Sequence, residues 1–360
     1  MNVRVSIFRL LGLVLTAGFL LSFVNLHGCT QQYSDGTQAA WLGSHQGSAL
    51  VHQTRLPVTD SAPVFTDRLV TRVTGRLESP VIGELSGMAA SRRYSKTYWA
   101  INDSGNQPEL FALGETGKHL ASFTLPLKNR DWEDMASFTD GGVQWLLVAD
   151  SGDNVRHYKH SVLHFLKEPA LPQKKASADL HRSVTYVYED GPQNVEAVAV
   201  SVRERIVYLI SKNAGKPKIY ALPLDIGLNK LSGDKQTPAG PVLARLIGRM
   251  DSLSWTDEDR WIEKRLAARI LLSATSMDIS SDDRLAVIGN YRHAYLYRRK
   301  PQQSWIQALQ TAPQIITTHR LAQSESIAFS HDATSILVGS EGRYAPLLRV
   351  SPESTLVDAQ

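Results

Sequence analysis

"DWEDMASF" (131–138), followed by "QWLLVADSGDN" (144–154), decides the fold. The first stretch has acids, then a short apolar run, then a polar turn. The second is a strand-like run ending in turn formers, since Asp, Ser, Gly and Asn favour tight reversals. The same pair recurs. "ELSGMAAS" (84–91) precedes "TYWAINDSGN" (97–106), and "NVEAVAVS" (194–201) precedes "RIVYLISKN" (205–213). "ATSMDISSD" (274–282) precedes "RLAVIGNY" (284–291), and "SESIAFSHD" (324–332) precedes "SILVGSEG" (335–342).

Further strand-like runs lie between the units: "PELFALG" with "HLASFTLPL", "KIYALPL", "HAYLYRR" and "PLLRV". They read as third and fourth strands. The anchor column Ser86, Glu133, Glu196, Thr275 and Glu325 has spacings of 47, 63, 79 and 50 residues. A four-stranded propeller blade takes roughly 40–50 residues. The chain is therefore expected to be an all-β propeller. Six blades are favoured, the sixth lying in the 79-residue interval or completed by both chain ends. Five blades are the alternative. "TDEDRWIEKRLAAR" (256–269) reads as one short helical insertion with Thr256 as N-cap. Residues 65–82 are expected to add an outer strand that closes the ring. A β-sandwich would not reproduce one anchor column five times. A parallel α/β fold would need helices between the strands.

The chain start carries a different signal. Arg4 and Arg9 precede the apolar run "LLGLVLTAGFLLSFV" (10–24), the pattern of a secretory signal. The run is shorter than the roughly 20 residues of a spanning helix. "LHGC" (26–29) resembles a bacterial lipobox, with His27 departing from it, and Cys29 is the single cysteine in the chain. Residues 1–28 are thus expected to be a lipoprotein signal, 29–62 a polar tether, and 63–360 a single propeller domain. Lipidation of Cys29 would hold the protein at a membrane surface in the bacterial cell envelope, outer-membrane or periplasm-facing. With one cysteine, an intrachain disulfide and a cysteine-based metal site are excluded. Loss of Arg4 and Arg9 lowers the formal charge from +4 to +2, which gives nucleic-acid binding no electrostatic support.

Successive strands of a blade run antiparallel. The start of strand one and the end of strand two therefore share one face of the disc. The anchor column and the column Asp103, Ser151, Lys212, Asn290 and Glu341 should meet at one channel mouth. Oxygen donors there suit Ca²⁺. The candidate metal ligands are Glu133, Glu196, Glu325, Asp103, Asp150 and Asp153. The candidate ligand-binding residues are Asn102, Asn194, Lys212, Asn290, Arg292, Glu341 and Arg343. The alternative is that the glutamates accept backbone N–H groups of the neighbouring blade, and that the Asp and Asn residues tie turns. Asp131, which should reach the same mouth, and Asp134 lack acidic counterparts in most other copies, so they are either specific to this site or local turn ties. Trp132 is expected to pack between blades. No G-x-S-x-G elbow or H-E-x-x-H spacing occurs, which argues against a serine hydrolase or a zinc site.

These motifs, from "ELSGMAAS" to "ESIAFSHDATSILVGSEGRYAPLLRV", resemble the bacterial phytase-like propeller proteins labelled "esterase-like activity of phytase". The resemblance runs from about residue 80 to 350. It implies a six-bladed propeller with calcium at the channel mouth. The D-D-P-A and N-N-x-D-x-R motifs of true propeller phytases are absent, so phytate hydrolysis is not implied. Two functions stay open. One is binding of an envelope protein or small anionic ligand at the mouth. The other is calcium-dependent hydrolysis of phosphoesters or related esters.

Overall fold

In the computed structural model, the described residues are 65, 68–171, 176–213, 215–228, 240–251, 253 and 255–353. By internal contacts the chain divides into Met1–Thr59 and Asp60–Gln360, and all described residues belong to the latter. The signal, tether and Cys29 expectations lie outside them. Among the described residues, no helix is long and apolar enough to cross a membrane.

The first strand, β1 (Leu69–Arg76), is half-buried and belongs to the last blade. Blade one contains β2 (Leu85–Ala90), β3 (Thr97–Asn102), β4 (Glu109–Gly114) and β5 (His119–Thr124). Blade two contains β6 (Trp132–Asp140), β7 (Val143–Asp150) and β8 (Ser161–Lys167). A short β9 (Ala176–Ser177) then pairs in parallel with β5, and β10 (Leu180–Tyr188) completes blade two. Blade three contains β11 (Val195–Ser201), β12 (Ile206–Ser211), β13 (Lys218–Pro223) and β14 (Val242–Arg249), with the short helix α1 (Asp225–Leu228) between the last two strands. Helix α2 (Asp257–Glu263) and a 3₁₀ segment (Leu266–Leu272) follow. Blade four contains β15 (Ser276–Ile279), β16 (Leu285–Gly289), β17 (His293–Arg298) and β18 (Gln314–Thr318), with α3 (Trp305–Leu309) before the last strand. Blade five contains β19 (Ser326–Phe329), β20 (Ile336–Gly339) and β21 (Pro346–Pro352). Strand β1 lies antiparallel on β21 and supplies the fourth strand.

The inner strands β2, β6, β11, β15 and β19 touch in that order, and β19 returns to β2. The ring is closed by five blades, not six. The long interval before Thr275 holds blade three's own outer strands and then α2 with the 3₁₀ segment. That insertion begins with the expected N-cap. Thr256 accepts the Asp259 N–H, and Asp259 accepts the Thr256 N–H. The expected outer strand within 65–82 is β1.

The five hydrophobic clusters each join two neighbouring blades. Trp132, with no solvent exposure, packs with Trp99, Leu110 and Leu146 between blades one and two. Leu147, Phe165, Val198 and Leu209 fill the next interface, and Ile210, Met277 and Tyr295 the one after it. Ile327 with Val287, and Leu347 with Phe111, close the circle. Small residues let the inner strands approach. A Cβ on Gly87 would lie 2.9 Å from the Met135 nitrogen of the next blade.

Candidate functional site: an acidic channel mouth

Local pairing explains why the anchor residues face the channel. In blade one, Leu85 pairs with Asn102 and Gly87 with Ile101, leaving Ser86 as an extra residue. Glu133 is the extra residue between Trp132 and Asp134, and Glu196 the one between Val195 and Ala197. Each is a β-bulge, a device that re-aims a side chain. Thr275 and Glu325 immediately precede β15 and β19. Three members of the second column are held by one repeated contact. The Asp103, Lys212 and Glu341 N–H groups donate to the carbonyls of Glu84, Asn194 and Gln323, each two residues before an anchor.

Chemistry then divides the anchor column. Ser86 Oγ donates to the Trp132 carbonyl at 2.9 Å, and Thr275 Oγ1 to the Ser324 carbonyl at 2.9 Å. These hydroxyls sew neighbouring blades together. The glutamates make no such bond among the described residues and remain in the mouth. None of the three accepts a backbone N–H among the described residues. Glu196 Oε1 lies 2.5 Å from Lys212 Nζ and 3.0 Å from Asn194 Nδ2. Lys212 Nζ donates to Tyr291 Oη at 3.0 Å, and Tyr291 Oη donates to Glu325 Oε1 at 2.6 Å. Glu341 hydrogen-bonds Glu325. Glu196 Oε2 is buried with no hydrogen-bond partner.

Asp103, Asp131 and Glu133 offer ligand oxygens that all lie within 4.8 Å of one another. Gly152 forms the wall beside them. A Cβ there would sit 2.5 Å from Asp131 Cγ and would collide with Glu133 Oε1. Burial, then the charges of Glu196 and Asp103, raise the Glu133 pKa well above the usual carboxyl range. Burial raises Glu196 to about 7 even with Lys212 beside it. Burial also raises Asp103 to about 7, opposed by the Ser104 N–H and aided by Asp131. Burial and the hydrogen bond with Glu325 push Glu341 up to about 10. Burial works against the charge on Lys212, but Glu196, Tyr291 and Glu325 outweigh it and raise its pKa well above normal.

The mouth thus crowds carboxyls around one ammonium group. Protons or a cation must relieve the repulsion. All three members of the close group are hard oxygen donors, the set that Ca²⁺ takes. Glu196 Oε2 is a buried acceptor without a donor, and Gly152 leaves space where a side chain would intrude. The residues fit a divalent cation of the calcium type.

The structure brings together Glu133, Glu196, Glu325, Asp103, Lys212 and Glu341, with Asn194 bracing Glu196. The other expected residues have these partners. Asp150 faces Arg130 at 2.9 Å. Asp153 accepts the His157 and Tyr158 N–H groups at 2.9 and 2.8 Å, tying its loop. Asn102 Nδ2 donates to the Val81 carbonyl at 2.7 Å. Asn290 accepts the Arg292 and His293 N–H groups within its own turn. Arg292 is paired with Glu258 at 2.7 Å and with Asp259 at 3.3 Å. Arg343 lines a groove of about 670 Å³ beside Glu84 and Asn106. Asp131 was not among the expected ligands. Its signal was present in "DWEDMA", but it belongs to no repeating column. Asp134 points the other way. Its carboxylate accepts the Met135, Val198 and Met277 N–H groups at 2.8, 2.8 and 3.1 Å, bridging three blades inside the channel.

No family model matches the chain, and no curated protein does. Among solved structures, it is similar to a luciferin-regenerating enzyme at 9% identity and a TM-score of 0.42. That similarity covers 79% of this chain and 95% of the other.

Proposed function

We propose that this chain is a lipid-anchored propeller of the bacterial envelope that binds a calcium-type cation at its channel mouth and, beside it, an anionic ligand. The observation that carries this reading is the trio Asp103, Asp131 and Glu133, with the unpartnered oxygen of Glu196 next to Glu133. Asp103, Asp131 and Glu133 would hold the cation, with Glu196 near Glu133. The lipobox-like segment ending at Cys29 and the resemblance to the phytase-like envelope family support the location and the metal class. The groove that Arg343 lines offers room for an anionic group. An envelope protein presenting such a group is equally a partner of this surface.

Hydrolysis of phosphoesters or related esters is the second reading. One observation favours it: the close group of oxygen donors lies beside the buried ammonium of Lys212, which would put a bound cation and a fixed positive charge at one mouth. When bound, the cation would supply Lewis-acid polarisation of the scissile group. Lys212, held by Glu196 and Tyr291, would orient the anion.

Calcium titration by calorimetry, with terbium luminescence as a second readout, tests the binding. The full chain should bind, and Glu133→Gln should weaken affinity by at least about tenfold, or 1.4 kcal/mol, without lowering the melting temperature in chelator. Equal affinity in the variant would remove the basis for the site. A phosphomonoester panel with and without Ca²⁺ separates the two readings, because turnover that depends on Ca²⁺ belongs to the hydrolase alone.

A further inference from the structure

The close group Asp103, Asp131 and Glu133 straddles the seam between two blades. Asp103 follows β3 of blade one, and Asp131 precedes β6 of blade two. Both lie just outside the strands, so no sheet ladder fixes one against the other. A cation site needs its ligands held to within about 0.5 Å, and repulsion between the carboxylates would drive the two turns apart. Something other than the strands must join them.

That join is the side chain of Asn129, half-buried in the segment that enters β6. Its Nδ2 donates to the carbonyls of Asn102 and Asp103 in blade one, at 3.0 and 2.7 Å. Its Oδ1 accepts the Trp132 N–H of blade two at 3.2 Å. One amide thus uses both its donor and its acceptor. It clasps the backbone that carries Asp103 to the backbone that carries Asp131 and Glu133. Neighbouring contacts complete the frame. Arg130 donates to the Asp150 and His160 carbonyls at 3.1 and 2.9 Å, which ties the same segment to the loops of its own blade. The Gly152 N–H donates to the Asp131 carbonyl at 3.1 Å, and the Ser104 side chain hydrogen-bonds the Asp131 carboxylate. Ile82, Pro192, Leu271 and Leu321 stand four residues before the other anchors, so no other unit carries an amide at this place. The clasp is a feature of the cation group, not of the repeat.

We infer that Asn129 is a positioning residue of the cation site, holding Asp103 of blade one within reach of the ion that Asp131 and Glu133 bind from blade two. The inference rests on the cation reading given above. Partners that orient metal ligands commonly carry about 10–100-fold in metal affinity. The blades themselves do not depend on this clasp. The apolar seam around Trp132 and the Ser86 bond to the Trp132 carbonyl remain when Asn129 is cut back.

Calcium and terbium titrations of the full chain test this in the parent, Asn129→Ala, Asp103→Ala and the double variant. Asn129→Ala should weaken binding by about tenfold or more. In the Asp103→Ala background the same substitution should cost less than about twofold, because the ligand it positions is gone. Terbium bound to Asn129→Ala should also show a shorter luminescence lifetime in water, as water takes the place of the Asp103 oxygen. Melting in chelator measures any structural cost apart from these readouts. Full affinity in Asn129→Ala, an unchanged lifetime, or an equal loss in both backgrounds overturns the inference and leaves the cation trio standing. A parent that binds neither ion overturns the cation site itself.

Discussion

Glu133 and Ser86 occupy equivalent bulges, and one chemical difference separates their roles. A serine hydroxyl can donate to a carbonyl of the next blade, and Ser86 does so. Glu133, with a longer and acidic side chain, makes no such bond among the described residues. Glu133 is therefore left facing Asp103 and Asp131. Gly152 permits this arrangement. In Gly152→Ala the new methyl would press on Asp131 and Glu133, both of which are free ends of side chains rather than backbone. The expected outcome is a small stability loss of about 1 kcal/mol, at the low end of overpacking costs, and a larger loss of cation affinity, about tenfold or more. Chemical denaturation and terbium titration on the same sample separate the two effects. A variant that binds as well as the parent would show that Asp131 and Glu133 need not hold their positions.

The element that closes the ring is β1, which pairs with β21 from Leu69↔Pro352 to Arg76↔Pro346. Without it β21 becomes an exposed edge, open to pairing with other chains. Deleting residues 1–76 should lower the melting temperature by at least about 10 °C, given roughly 2–4 °C per kcal/mol for a domain of this class, and should promote aggregation. Deleting residues 1–62 keeps Phe65 and β1 and is the control. Equal melting of the two truncations would mean that β1 does not secure the ring. At this scale the strands were legible in the sequence, because each begins and ends on polar turn residues around a short apolar run. Blade count was not. The interval before Thr275 is long because of a helical insertion, and residue spacing alone does not distinguish an insertion from a weak blade.

For the whole molecule, the carboxyl groups of the mouth set a pH dependence. Asp103 and Glu196 are raised to about 7 and Glu341 to about 10. Unfolded carboxyls titrate near about 4. The folded chain therefore holds protons that the unfolded chain has lost, and stability declines as pH rises through these folded values. His164 and His319, lowered to about 4 by burial, act in the opposite direction, with stability rising up to their unfolded value near about 6.5. Above about pH 6.5 their contribution is constant, so the carboxyls dominate. In chelator the melting temperature should fall from pH 6.5 to 8.5, and Ca²⁺ should reduce that fall. A flat or rising profile in chelator would show that the mouth does not hold protons in this range. Scanning calorimetry with both buffers decides it.

The sequence by itself determined that the chain is an all-β propeller and that Glu133, Glu196 and Glu325 share a column. A repeated strand pattern expresses itself locally, in turn residues and apolar runs. Only the tertiary structure decided which acids meet. Asp131 joins Asp103 from another blade, while Asp134, three residues on, turns into the channel to bind three N–H groups. Asp150 and Asp153, which look alike in the sequence, are spent on Arg130 and on a loop. The reason is physical: a bulge of one residue and the nearest available donor fix where a carboxylate points, and neither is written in the spacing of one chain segment.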